Sequence, residues 1–419
     1  MKILLVHEFY QTHSPSGEDA MFLAEKRLLE DGGHAVQVFE AHNDAIGRSV
    51  AERLAVAAGS IWSLRGYRSL RRAIRGFRPD VVHCHNTFPL ISPSAYHAAR
   101  AESVPVVQTL HNYRLVCPSG LLLRDQKPCE ACVGRMPMPA VRHRCYRGSR
   151  AASAVAASML VANRALGSFR SGVDRYIVLT EFAREILIRG GLPADRLVVR
   201  ANGLAADPGT GRGDGGFALF VGRLSAEKGV VTLLEAWRDV PGLPLLIAGD
   251  GPLRAELEAK ARATDVNAEF LGRVPRERVL DLMRRATLLA LPSECYEGMP
   301  VTLLEALACG CPIAASRLGA LAELVADGAN GVLFTAADPA ALAGAIARLR
   351  ADPGAMAATR VRNRALFEAR YAPSQALRSL EAVYRDAIRA AAAQAAEPAL
   401  PRARRSRTTS ETNTGPEIR

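Results

Sequence analysis

No apolar run approaches the roughly 20 residues that a membrane-spanning helix needs. The best candidate, residues 151–166, is interrupted by Ser153, Ser158, Asn163 and Arg164. The first apolar stretch, Ile3 to Val6, is too short for the core of a secretion signal and is flanked by Lys2 and Glu8. These absences lead to the expectation of a cytoplasmic protein, free or peripheral on the cytoplasmic face of a membrane. Aromatic residues are scarce, at 5% of the chain, and the basic stretches lack the interleaved aromatics on which nucleobases stack. That argues against nucleic acid as a partner. Acid is also short, with 42 Asp and Glu against 54 Lys and Arg, a formal charge of +12. Residues 391–419 hold five of the arginines and three of the glutamates, so most of the excess belongs to the body of the chain.

What is present is apolar alternation. At 419 residues and 49% hydrophobic content, the chain can bury two cores. Apolar strands are expected at Ile3 to Val6, Val36 to Phe39, Val81 to Cys84, Val104 to Thr109 and Tyr176 to Leu179, with helical periods between several of them. A Gly-rich run at 205–216 holds neither helix nor strand and reads as a linker. A second series follows, with strands at Ala218 to Val221, Leu245 to Ala248, Glu269 to Leu271, Leu288 to Leu291, Pro312 to Ala315 and Gly331 to Phe334. The expected fold class is α/β, with two doubly wound Rossmann-like domains facing a cleft. The expected division is 1–204, linker 205–216, 217–372, a terminal helix at 373–392 packing back toward the first domain, and a disordered tail at 393–419.

Chemistry-bearing residues fall at strand ends. Between strand 288–291 and the next helix lie Glu297, Gly298, Met299 and Pro300, with Glu305 inside the helix. Proline suits a helix start, and the unpaired N–H groups there favour an anion. Two carboxylates beside such a start suit the hydroxyls and phosphates of a nucleoside diphosphate sugar. The plainer alternative is a surface helix with two exposed glutamates. After strand 218–221 come Arg223 and Lys228, a forked donor and a mobile point charge that suit a diphosphate, with Ser225 placed to cap the next helix. Asp250 and Gly251 make a tight strand-to-helix turn, which is either a binding loop or a turn alone. Gly17, after the first strand, can offer backbone N–H groups to phosphate but is not part of a G-x-G-x-x-G fingerprint.

Taken in order, Gly222-Arg223-Leu224, Glu227-Lys228-Gly229, Gly249-Asp250-Gly251-Pro252, Pro292-Ser293, Glu297-x7-Glu305-Ala306 and Gly310-Cys311-Pro312 resemble the family-four retaining glycosyltransferases of GT-B fold, over residues 1 to about 390. The resemblance implies that Arg223 and Lys228 hold the donor diphosphate, Glu297 and the backbone after Gly298 the donor sugar, and Glu305 the ribose. It also implies that His111 contacts the sugar from the first domain and that His85 and Asn86 line the acceptor side. The family often has a double glycine where this chain reads Ser16-Gly17-Glu18. The implied function is transfer of a hexose from a nucleotide sugar to a glycan or lipid-linked acceptor in surface polysaccharide or glycolipid synthesis, with no cofactor needed for the chemistry. The alternatives are another GT-B enzyme, an epimerase or a phosphorylase, and a basic zinc-containing nucleic-acid-binding protein.

Two features stand outside the resemblance. Cys117, Cys129, Cys132 and Cys145 contain a C-x2-C pair with two flanking thiols, the spacing of a structural zinc site. Residues 63–78 interleave Leu64, Leu70, Ile74 and Phe77 with arginines, as in a basic amphipathic helix that could rest on an anionic membrane.

Overall fold

The computed structural model describes residues 1–10, 16–47 and 49–396. Two six-stranded parallel sheets follow one another along the chain. The first contains β1 (Lys2–Phe9), β2 (Ala35–His42), β3 (Val81–Cys84) and β4 (Val106–Leu110). After a two-stranded hairpin of β5 (Leu123–Arg124) and β6 (Lys127–Pro128), it is completed by β7 (Arg175–Val178) and β8 (Leu197–Val199), in the order β2-β1-β3-β4-β7-β8. The second contains β9 (Ala218–Val221), β10 (Leu245–Ala248), β11 (Ala268–Gly272), β12 (Leu288–Leu291), β13 (Ile313–Ser316) and β14 (Gly331–Phe334), in the order β11-β10-β9-β12-β13-β14. Strand order reverses between β1 and β3 in one sheet and between β9 and β12 in the other. At such switch points the loops leaving neighbouring strands part and open a crevice.

Each sheet is covered on both faces, so its inner strands read as unbroken apolar runs. In the first, Leu4, Val6, Val82 and Cys84 face one buried cluster, whereas Ile3, Leu5, Val81 and Val107 face another. Leu380, Val383, Tyr384 and Ala387 complete that second cluster from the helix Pro373–Ala396, the last described element of the chain. That helix runs four residues past its expected end at 392. The expected disordered tail beyond it, 397–419, lies outside the described residues.

The Gly-rich stretch 205–216 is strapped onto the second unit. Gly211, Gly213 and Gly215 donate backbone hydrogen bonds to the carbonyls of Cys309, Arg284 and Arg285, and Arg364 pairs with Asp207. A side chain at Gly211 would place its Cβ 2.0 Å from the carbonyl oxygen of Arg284. The hairpin β5–β6 and strand β8 have no counterpart in the sequence reading, because segments of two or three residues carry no period.

Replacing Leu380, fully buried beneath the first sheet, with alanine is expected to cost about 2–5 kcal/mol. Urea unfolding followed by circular dichroism reads this loss, and one below about 0.5 kcal/mol would show that the terminal helix is not part of that core.

Candidate active site

One wall of the cleft is made by the loops that leave β9 and β12. These loops touch: Gly229, at φ +65°, would place a Cβ 1.9 Å from the carbonyl oxygen of Pro292, so glycine is required there. The contact brings Lys228 Nζ to 2.7 Å from Glu297 Oε1, and Ser293 Oγ donates to the same oxygen at 2.5 Å. Burial alone would raise the Glu297 carboxyl, but Lys228 and Ser293 outweigh it and hold the group below its usual range. Burial likewise opposes the charge of Lys228, and Glu297 reverses that effect and raises the amine. Ser225 does not cap a helix; its hydroxyl donates to Glu227 instead. Pro300 stands at the N-cap of the helix Val301–Cys309, one residue before its first turn.

Glu305, on the second turn of that helix, is buried and accepts from Arg276 at 3.2 Å. Burial raises its carboxyl above the usual range even against Arg276. The turn at 249–252 is packed tightly onto the β9 loop. A Cβ on Gly249 would lie 1.8 Å from the carbonyl oxygen of Gly222, and one on Gly251 would lie 2.4 Å from that of Leu224. Both glycines thus hold the loop that carries Arg223, and Asp250 Oδ1 accepts from the Gly251 N–H at 2.8 Å.

The other wall comes from the first unit. Ser16 caps the helix Gly17–Asp31 through a reciprocal pair with Asp19. A Cβ on Gly17 would meet no described residue within 4 Å. Beyond β3, His85 is buried and stacked on His111, with ring centroids 5.2 Å apart and planes at 19°. His85 Nδ1 lies 2.9 Å from His111 Nε2. Asn86 turns its amide onto its own loop, donating to the Glu8 carbonyl at 2.8 Å and accepting from the Phe88 N–H at 3.1 Å.

Between residues 16–23 of that wall and the second unit lies a cavity of about 880 Å³ that brings Gly17 together with Arg223, Asp250, Gly251 and Glu305, whereas His85, Asn86 and His111 line a separate, smaller pocket of the first unit. Glu297, Gly298 and Met299 meet the first unit directly. A Cβ on Gly298 would lie 2.9 Å from the His111 carbonyl oxygen. Tyr113 OH donates to the Glu297 carbonyl at 3.5 Å, and Asn202 Nδ2 to the Met299 carbonyl at 3.4 Å. The sequence reading passed over Arg273 and Arg276, which also line the cavity. Their signal was present: Gly272-Arg273-Val274-Pro275-Arg276 places two cations at the carboxyl end of β11.

The structure corrects two expectations. In a tetrahedral site with Zn–S bonds of about 2.3 Å the sulfurs lie roughly 3.8 Å apart. Among the described residues, however, the group of His, Cys, Asp or Glu whose ligand atoms all lie within 4.8 Å of one another is Glu25, His83 and His85. Cys117, Cys129, Cys132 and Cys145 do not close into a zinc ligand set. Burial above all, with the neighbouring Cys117, Cys145 and Cys129, pushes Cys132 up to about 11. The basic helix Leu64–Phe77 is also used differently than expected: Leu70 and Ile74 are buried in the protein core, so its apolar stripe faces protein rather than lipid. No helix among the described residues is long and apolar enough to cross a membrane.

Comparison with known proteins places this geometry. Residues 208–365 match the family model of group 1 glycosyl transferases, and residues 21–203 match that of a glycosyl transferase 4-like domain. The chain is 32% identical over 291 residues to the glycogen synthase of Mycobacterium tuberculosis, a match that spans 67% of this chain and 62% of that enzyme. It is 30% identical over 326 residues to the D-inositol 3-phosphate glycosyltransferase of Acidothermus cellulolyticus, covering 74% of this chain and 67% of the relative. The crystal structure of Anabaena HepE in complex with UDP-glucose superposes with a TM-score of 0.65 at 18% identity, over 92% of this chain and 99% of that one. Two parallel α/β units with their strand ends turned to a shared cleft are the GT-B arrangement, and the chain belongs to the group 1 glycosyltransferases.

Proposed function

We propose that the protein is a retaining glycosyltransferase that moves a hexose from a nucleoside diphosphate sugar to a glycan or lipid-linked acceptor in surface polysaccharide or glycolipid synthesis. The observation that carries this reading is the Lys228–Glu297 pair at 2.7 Å, held where the β9 and β12 loops meet, with Arg223 of the first of these loops and Glu305 of the helix after the second lining a cavity large enough for a nucleotide sugar. Lys228 and Arg223 supply the charge that a departing diphosphate needs. Glu297, kept ionised by Lys228, orients the sugar hydroxyls, and Glu305 with Arg276 faces the ribose. The open space around Gly17, where packing does not demand a glycine, leaves room for a phosphate against the capped helix start. HepE was crystallised with UDP-glucose, which makes that compound the first donor to try.

In the proposed reaction the bond between the anomeric carbon and the phosphate oxygen breaks. The acceptor hydroxyl oxygen bonds to the same face of the carbon, and its proton passes to the leaving phosphate. No side chain becomes covalently attached, and no metal or organic cofactor takes part. Glu297 and His111 act by position and field.

The structure also leaves a basic face for a membrane surface. Leu64 is 51% exposed near Trp62, and Arg65, Arg68 and Arg72 are exposed on the helix whose Arg71 and Arg75 pair with Glu102. We infer peripheral, charge-driven contact with anionic lipid. Co-sedimentation with vesicles containing phosphatidylglycerol should occur at low salt and fall away at 0.5 M NaCl. Retention at high salt, or no difference from neutral vesicles, contradicts it.

Glu297→Ala is expected to lower kcat/KM at least about a hundredfold, with the far-ultraviolet spectrum unchanged. Wild-type turnover would remove Glu297 from the site. Arg223→Ala should weaken UDP binding by about 1.5–3 kcal/mol, read by calorimetry. A panel of nucleotide sugars will identify the donor by thermal stabilisation, since a ligand at about 100 times its Kd adds about 2.7 kcal/mol. Proton NMR of the product at early times should show the donor's anomeric configuration, and the opposite configuration would end the retaining reading.

A further inference from the structure

Behind His111 lies a chain of buried polar groups that the transfer reaction as described does not use. Glu25, on the helix Gly17–Asp31, is buried with one oxygen paired to Arg200 Nη1 at 2.8 Å. Arg200 is itself fixed by the Ala376 carbonyl at 3.0 Å and by Ser379 Oγ at 3.2 Å. The other oxygen, Oε1, lies 3.2 Å from His85 Nε2 and 3.2 Å from His83 Nδ1. His83 is already engaged on both ring nitrogens, with Tyr384 OH at 2.7 Å and Thr109 Oγ1 at 2.8 Å. Glu25 Oε1 and His85 Nε2 are both buried and neither is satisfied by any other described group, so their 3.2 Å separation leaves each as a partner open to the other. These groups form a relay rather than a cation site, because the Arg200 guanidinium already supplies the carboxylate's positive partner.

The direction of each hydrogen bond follows from the carboxylate. Arg200 and the surrounding histidines outweigh the cost of burial and keep Glu25 ionised, well below its usual range. A carboxylate only accepts, so His85 carries its proton on Nε2. His85 Nδ1 is then an acceptor, and the 2.9 Å contact is His111 Nε2–H donating to it. Burial above all pushes His111 down to about 3, so it is neutral. Its single proton is on Nε2, and its Nδ1 takes no hydrogen bond from a described residue.

We propose that Glu25 is a positioning residue for His111: acting through His85, it fixes the tautomer in which Nδ1 of His111 is the ring's acceptor, ready to receive a hydroxyl proton of the transferred sugar. The consequence for transfer rests on the proposed function, in which His111 faces that sugar; the tautomer itself does not. A neutral imidazole with a lone pair offered to the sugar also suits a transition state in which positive charge grows on the ring. An N–H in the same place would oppose it.

The test is the long-range proton–nitrogen correlation spectrum of the full chain labelled with 15N-histidine, with His111 assigned by the signals lost in His111→Gln. The expected wild-type result is a proton on Nε2 of His111, and a proton on Nδ1 overturns the proposal without reference to any variant. In Glu25→Gln the amide must turn its oxygen to Arg200, which has only donors, and its NH2 to His85. The relay then reverses, His111 carries its proton on Nδ1, and kcat/KM for UDP-glucose or the donor found by screening falls about tenfold. A folded Glu25→Gln protein with an unchanged His111 tautomer, or with a changed tautomer and unchanged kcat/KM, overturns it. If the wild-type protein transfers no sugar, the functional reading fails while the spectrum still decides the relay.

Discussion

The ion pair of Glu25 and Arg200 is a charge buried inside the first unit, and much of the molecule is arranged around keeping it satisfied. Two ions taken out of water are tolerated only when their geometry is good and their remaining valences are filled. The terminal helix fills those of Arg200, and His83 and His85 crowd the free oxygen of Glu25. One pair thereby connects three parts of the chain that are remote in sequence: the first helix, the loop after β8 and the last helix. The requirement that stabilises the core also orders the side chains at the floor of the cleft, so packing and chemistry share one set of contacts.

The second unit follows the same logic with different parts. Lys228 and Glu297 are each costly to bury alone and acceptable together, and they meet because Gly229 lets the loops of β9 and β12 approach. Gly249 and Gly251 do the same between the next turn and the β9 loop. The glycines in these motifs therefore act chiefly through backbone contact within the protein, whereas Gly17 has no such neighbour. Gly298 is set against the His111 carbonyl, so it joins the two units just before the N-cap of the helix that carries Glu305.

Much of this was legible in the sequence where the signal is local. The strand, loop and helix around Arg223–Lys228 and Glu297–Glu305 each lie within about a dozen residues, and short apolar runs mark the buried strands on either side. The relay was not legible, since Glu25 and Arg200 are 175 residues apart and a lone glutamate in a helix gives no hint of a partner. The cysteine spacing was legible only in part, because C-x2-C fixes one pair of ligands: the four thiols lie near one another without closing into a ligand set. The basic helix was legible only in part: periodicity shows that a helix has an apolar face but does not say what covers it, and here Leu70 and Ile74 belong to the core.

The terminal helix has a consequence for the order in which the protein is made. Residues 373–396 are synthesised after the whole second unit, yet Leu380, Val383 and Tyr384 close the face of the first sheet that Ile3, Leu5 and Val81 present. Domains generally fold from the N-terminus as they leave the ribosome, but this one emerges with that face uncovered. Until its last helix appears, the nascent first unit must persist with bare hydrophobic surface and with an Arg200 that lacks its Ala376 and Ser379 partners, the kind of exposed intermediate from which aggregation starts.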